Sequence, residues 1–141
     1  MSATQLSALV RTGDPHTALR RFLALDTVVT GANALAYLAL SGPLGRLFGV
    51  DSTLLLALGA FLAVYAAAVG LLASRARPAA LPVRAVVEIN LAWTAVSCLA
   101  LVLWLTPSTA GAVWTVVQAL TVAGFAVLQY MALKARQDIS D

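Results

Sequence analysis

The sequence predicts an all-α transmembrane protein, a four-helix up-down-up-down bundle with both termini in the cytoplasm. Three observations carry that prediction. The chain is 61% hydrophobic and only 11% charged, against about 45–50% apolar and 25% charged in a soluble domain. Its apolar residues gather into four stretches, each long enough to cross a hydrocarbon core of about 30 Å. Arg11, Arg20, Arg21, Arg75, Arg77, Arg84, Lys134 and Arg136 fall on one side of those stretches, and Arg46 alone falls on the other. Such a bias marks the cytoplasmic side. The 141 residues therefore read as one membrane domain, with a mean hydropathy of +0.90 and no room for a sizeable soluble unit.

Residues 1–14 form a short cytoplasmic segment. Leu6, Leu9 and Val10 are spaced as one face of a helical turn or two before Gly13 interrupts the pattern. Asp14-Pro15 then has the chemistry of a helix start, an N-cap carboxylate followed by a proline whose missing N–H costs nothing there. The first span, residues 22–40, lies behind Arg20 and Arg21 and carries Asp26 and Asn33. It is too long for the apolar region of a signal peptide and is read as retained. Ser41-Gly42-Pro43-Leu44-Gly45 reads as a turn, leading into a loop with Arg46 and an interfacial Phe48.

Asp51-Ser52 caps the second span, residues 53–73, which is apolar apart from Tyr65. Gly59, Ala63 and Ala67 recur every fourth residue, as do Ala66 and Gly70. Small residues at that interval let another helix approach closely. Arg75, Arg77, Pro78 and Pro82 make a basic turn. The third span, residues 84–105, holds Glu88, Asn90, Thr94 and Ser97. Thr106-Pro107-Ser108 is an uncharged turn flanked by Trp104 and Trp114, whose indoles suit the membrane interface as anchors. The fourth span, residues 109–133, contains Gln118 and Gln129 and is closed by Lys134 and Arg136.

The polar residues inside these spans form stripes. Asp26, Thr30 and Asn33 share a face of the first helix, as do Asn90, Trp93, Thr94 and Ser97 on the third. Gln118, Val122, Phe125 and Gln129 align on the fourth. A central seam of Asp26, Asn33, Asn90, Thr94 and Gln118 follows. Glu88 points about 160° away from Asn90, toward a flank or a second subunit. Asp26 and Glu88 hold matching places early in their spans, each a few residues after an arginine. That correspondence would suit a duplicated helical hairpin. Two readings of the carboxylates stay open. They exchange protons or cations in a working site, or they are held structurally by helix dipoles and by Arg21 and Arg84.

Little in the chain suggests enzyme chemistry. Cys98 is the only cysteine, so it forms no intrachain disulfide or CxxC pair, and it reads as a small packed residue. The single histidine, His16, stands at a helix start, in water. Neither a phosphate-binding glycine loop nor a metal-ligand cluster is legible, and no cofactor is expected. Beyond the lipid bilayer, the expected partners are a second copy or another membrane protein, with no nucleic acid.

With Leu-Asp-Thr-Val-Val-Thr-Gly-Ala-Asn-Ala-Leu-Ala-Tyr-Leu at 25–38 and this overall layout, the chain resembles the small four-span membrane proteins of high-GC bacteria grouped as DoxX-like. The resemblance implies a bacterial inner-membrane location and carries no functional residue with it. Size and span count are also similar to small multidrug exporters. Those place an essential carboxylate near the middle of their first span, whereas Asp26 lies near its cytoplasmic end. The leading expectation is a non-enzymatic accessory, assembly, lipid-binding or partner-binding component. The alternative is a small homodimeric proton-coupled transporter that uses its intramembrane carboxylates.

Overall fold

The computed structural model describes residues 14–140. The helical turn expected at Leu6, Leu9 and Val10 lies outside the described residues. Five helices and no strand occur among them: α1 (Pro15–Ala39), α2 (Ser41–Phe48), α3 (Ser52–Ala73), α4 (Ala80–Leu103) and α5 (Thr109–Ser140). All but α2 are long and apolar enough to cross a membrane.

Local chemistry sets the ends of these helices. The Asp14 carboxylate accepts from the His16 N–H at 3.1 Å and the Thr17 hydroxyl at 2.8 Å, with Pro15 in the first turn. Asp51 caps α3 by accepting the Thr53 N–H at 2.8 Å. At the basic end, arginines satisfy backbone carbonyls, one at the C-terminus of α3 and one in the turn before α4. Arg20 Nε donates to Ala73 O at 3.1 Å, and Arg136 Nη1 donates to Pro78 O.

The segment expected as a loop after the first span is instead the eight-residue α2. Pro43 sits in its first turn, where a helix needs no N–H. Gly49, with φ of +69°, ends it in the left-handed region that glycine favours. Ser108 then ties α2 to the start of α5. Its N–H donates to Phe48 O at 2.9 Å and its hydroxyl to Leu47 O at 2.6 Å.

Packing is uneven. α3 lies along α1, α4 lies along α5, and α1 also meets α5, while α3 and α4 barely touch although they are consecutive. Leu55, Gly59, Leu62, Ala66 and Val69 form the buried edge of α3. Gly59 lets Tyr37 and Leu38 approach, and Gly70 faces Thr27. Ala63 is half-buried and Ala67 exposed. Steps of four residues drift by about 40° around a helix of 3.6 residues per turn, so the series from Gly59 leaves the contact face.

Two apolar layers hold the bundle. Leu19, Leu23, Val69, Val83, Val86 and Leu133 pack at the basic end. Ala34, Tyr37, Leu55 and Leu62 pack toward the other. Cys98 is exposed rather than packed, because α4 buries little beyond the side facing its neighbours. His16 is half-buried rather than open to water, since α1 already enters the bundle at Pro15 and Leu19.

Candidate functional site: a carboxylate held by four helices

Asp26 lies between the two apolar layers and is only 1% exposed. Leu23 on one side of it and Ala34 on the other are core residues, so the same buried stripe of α1 carries a charge-bearing group. Three neutral donors reach it. The Thr30 hydroxyl donates to Oδ1 at 2.9 Å. Asn90 Nδ2 on α4 and Gln129 Nε2 on α5 both donate to Oδ2 at 2.9 Å. Asn90 Nδ2 also donates to Gln129 Oε1 at 3.1 Å. From α3, the Tyr65 hydroxyl donates to Asn90 Oδ1 at 2.8 Å and lies 3.3 Å from Val86 O. The four long helices thus join in one polar node, α1 through Asp26 and Thr30 and each of the others through one side chain. Every bond to Asp26 brings a hydrogen to an oxygen, which is what a carboxylate accepts. No cation bonds to it among the described residues.

A second polar layer lies farther from the basic end. Trp93 Nε1 donates to Gln118 Oε1 at 2.8 Å, and Gln118 Nε2 donates to Ser97 Oγ at 3.2 Å. Thr94 donates to the carbonyls of Asn90 and Ala119. Trp114 Nε1 donates to the Tyr37 hydroxyl at 2.7 Å, and its ring stacks on Phe48 at 5.8 Å. Trp114 therefore turns into the bundle, while Trp104 is 69% exposed.

The expected seam is thereby divided. Asp26 and Asn90 meet directly, with Thr94 one turn along α4. Gln118 belongs to the second layer, because eleven residues of helix separate it from Gln129 by about 16 Å. Asn33 joins neither layer. It lines a cavity of about 110 Å³ with Thr30, Tyr65, Asn90 and Gln118, walled by Phe61, Trp93 and Phe125. No side-chain bond to Asn33 is present among the described residues. A second cavity of about 160 Å³ continues past Trp93 between Leu54, Leu58, Val96 and Trp104. Side chains of all four long helices line both cavities, and Phe61 of α3 and Trp93 of α4 stack at 5.8 Å across the cleft between those two helices.

Glu88 lies elsewhere. It is exposed on the α4–α5 flank, in a groove with Arg84, Tyr130 and Lys134. The two acids that hold matching places in the sequence thus occupy opposite environments. The node residues missing from the expected seam are Thr30, Tyr65 and Gln129, with Thr30 already on the Asp26 stripe. Gln129 was legible as the lower end of the Gln118 stripe. Tyr65 was legible as the one polar side chain on an otherwise apolar span.

The four long apolar helices define the class as a multi-pass membrane protein. No protein-family model, curated protein or solved structure matches the chain.

Proposed function

We propose that this is a non-enzymatic membrane protein whose α3–α4 cleft receives a small amphipathic molecule of lipid character. Its spans run up-down-up-down in a bacterial cytoplasmic membrane, with both termini on the cytoplasmic side where the cations gather. The observation that carries the reading is the cleft itself. Two consecutive spans, α3 and α4, barely touch, and the cavities beside them, lined by all four long helices, have aromatic walls. Apolar walls with a few placed polar groups are the ordinary makeup of a small-molecule site. The Asn33 amide faces that space without a side-chain partner among the described residues, and in a membrane such a group needs one.

Native mass spectrometry of the gently extracted protein tests this. A stoichiometric lipid-like mass that is lost in Asn33→Leu supports the reading. A bare chain in both proteins overturns it.

A second reading, a small homodimeric transporter driven through an intramembrane carboxylate, is favoured by the burial of Asp26 without a cation partner among the described residues. Flux of its substrate that persists unchanged in Asp26→Asn would sink that reading.

A further inference from the structure

We infer that Asp26, together with the side-chain oxygens of Thr30, Asn90 and Gln129, forms a binding site for one alkali cation of the Na⁺ kind. The inference is independent of what the α3–α4 cleft binds.

The first argument is charge. A carboxylate taken out of water is among the costliest groups a membrane helix can carry. Among the described residues Asp26 meets only neutral donors, so a carboxylate there is solvated by them without being balanced. One carboxylate balances one positive charge. A divalent ion would need further anionic ligands, and no cluster of acidic, histidine or cysteine side chains exists among the described residues.

The second argument is the ligand set. Hard cations take oxygen ligands from carboxylate, amide and hydroxyl groups. Both Asp26 oxygens lie within 2.9 Å of a hydroxyl or of a primary amide. A proton needs a single acceptor, whereas five oxygens can gather here once the amides turn.

The third argument is that the amides can turn together without losing a partner. Asn and Gln each carry an oxygen and an NH₂ at nearly the same place. As described, their nitrogens face Asp26, which suits the cation-free carboxylate. If both amides rotate by half a turn, their oxygens face Asp26 and, with its carboxylate and the Thr30 hydroxyl, offer a cation five oxygen ligands. The Asn90–Gln129 bond at 3.1 Å then runs in reverse, from Gln129 Nε2 to Asn90 Oδ1. The Tyr65 hydroxyl accepts from Asn90 Nδ2 and donates to Val86 O, 3.3 Å away. No polar atom is stranded in either arrangement. Tyr65 is the only other titratable side chain in the node, and Glu88 with its neighbouring cations lies outside it, on the α4–α5 flank.

Access is one-sided. Thr30, Tyr65 and Asn90 line the cavity of the cleft. On the other side Leu19, Leu23, Val69, Val83 and Leu133 close the bundle with apolar packing. An ion would enter from the cleft and stop at Asp26.

The test uses the full chain in nanodiscs of uncharged lipid, melted at constant ionic strength with choline chloride replaced by NaCl, LiCl or KCl. The expected result is a saturable rise in melting temperature of roughly 5 °C with at least one alkali cation, absent in Asp26→Asn. Equal melting in all four salts overturns the inference. So does a melting temperature that follows pH through Asp26 while ignoring the alkali cations, since the site then takes a proton only. Should Asp26→Asn not fold, calorimetric titration of the unmodified protein with NaCl, LiCl and KCl decides. Saturable heat weakened several-fold in Thr30→Val supports the site. The absence of saturable heat with all three salts, or binding unaffected by Thr30→Val, refutes it.

Discussion

At the scale of single residues, burial separates two acids that the sequence presents as equivalents. Asp26 accepts three hydrogen bonds inside the bundle, whereas Glu88 stands on an exposed flank. Replacing Asn90 with leucine removes a donor from Asp26 and leaves Gln129 Oε1 and the Tyr65 hydroxyl without that partner. The expected loss is about 1–3 kcal/mol, the usual cost of stranding buried polar groups. Tyr65→Phe removes one bond between helices and costs about 0.6 kcal/mol. Glu88→Gln leaves stability unchanged. Reversible unfolding in mixed micelles ranks the three, and a Glu88→Gln loss equal to that of Asn90→Leu would contradict the assignment. The Asp14 carboxyl carries a pH dependence of its own. The Thr17 hydroxyl, and then the His16 N–H, hold its pKa below the ordinary 3.8. A lowered folded pKa gives stabilisation that is full above the ordinary value and lost as pH falls through the lowered one. Protection of the first turn of α1 against amide exchange, relative to its intrinsic rate, should therefore fall below about pH 3.8, and Asp14→Ala should abolish the change.

At the scale of elements, close approaches between helices rest on particular glycines. A Cβ on Gly111 would meet the carbonyl oxygen of Phe48, a backbone atom that cannot step aside without moving α2. Gly111→Ala should cost about 1–3 kcal/mol, as overpacking does. Gly124 has open space around its missing Cβ, so Gly124→Ala should be neutral or gain up to about 1 kcal/mol from helix propensity. Thermal melting of the pair in one detergent checks both. The long helices were legible because hydropathy over about 20 residues depends little on neighbours. α2 was not legible, because Ser-Gly-Pro at its start is as good a beginning for a turn as for a helix. The small-residue series of α3 was legible as a packing signal, but which members face α1 depends on the true helical pitch.

At the scale of the whole molecule, what the sequence could not convey is which helices stand apart. Composition shows four spans, and stripes of polar residues show which faces turn inward. Neither says that α4 would pair with α5 and leave α3 across a cleft, since connection by a short basic turn argues for neighbours in contact. Asn33 is a polar side chain on the expected inward stripe, yet it is half-buried in a cavity wall and bonds to no side chain among the described residues. The indoles report on this geometry, because all three tryptophans line the cleft cavities. Trp104 is exposed in any case, so the informative protein is Trp104→Phe, which leaves Trp93 and Trp114. Phospholipids with brominated acyl chains quench indoles they can touch. If the cleft opens to the bilayer, fluorescence of Trp104→Phe should fall markedly as brominated lipid replaces ordinary lipid. Adding Phe61→Ala, which removes the ring stacked on Trp93, should deepen the quenching. Fluorescence of Trp104→Phe that ignores brominated lipid would mean that α3 and α4 close against each other in the membrane.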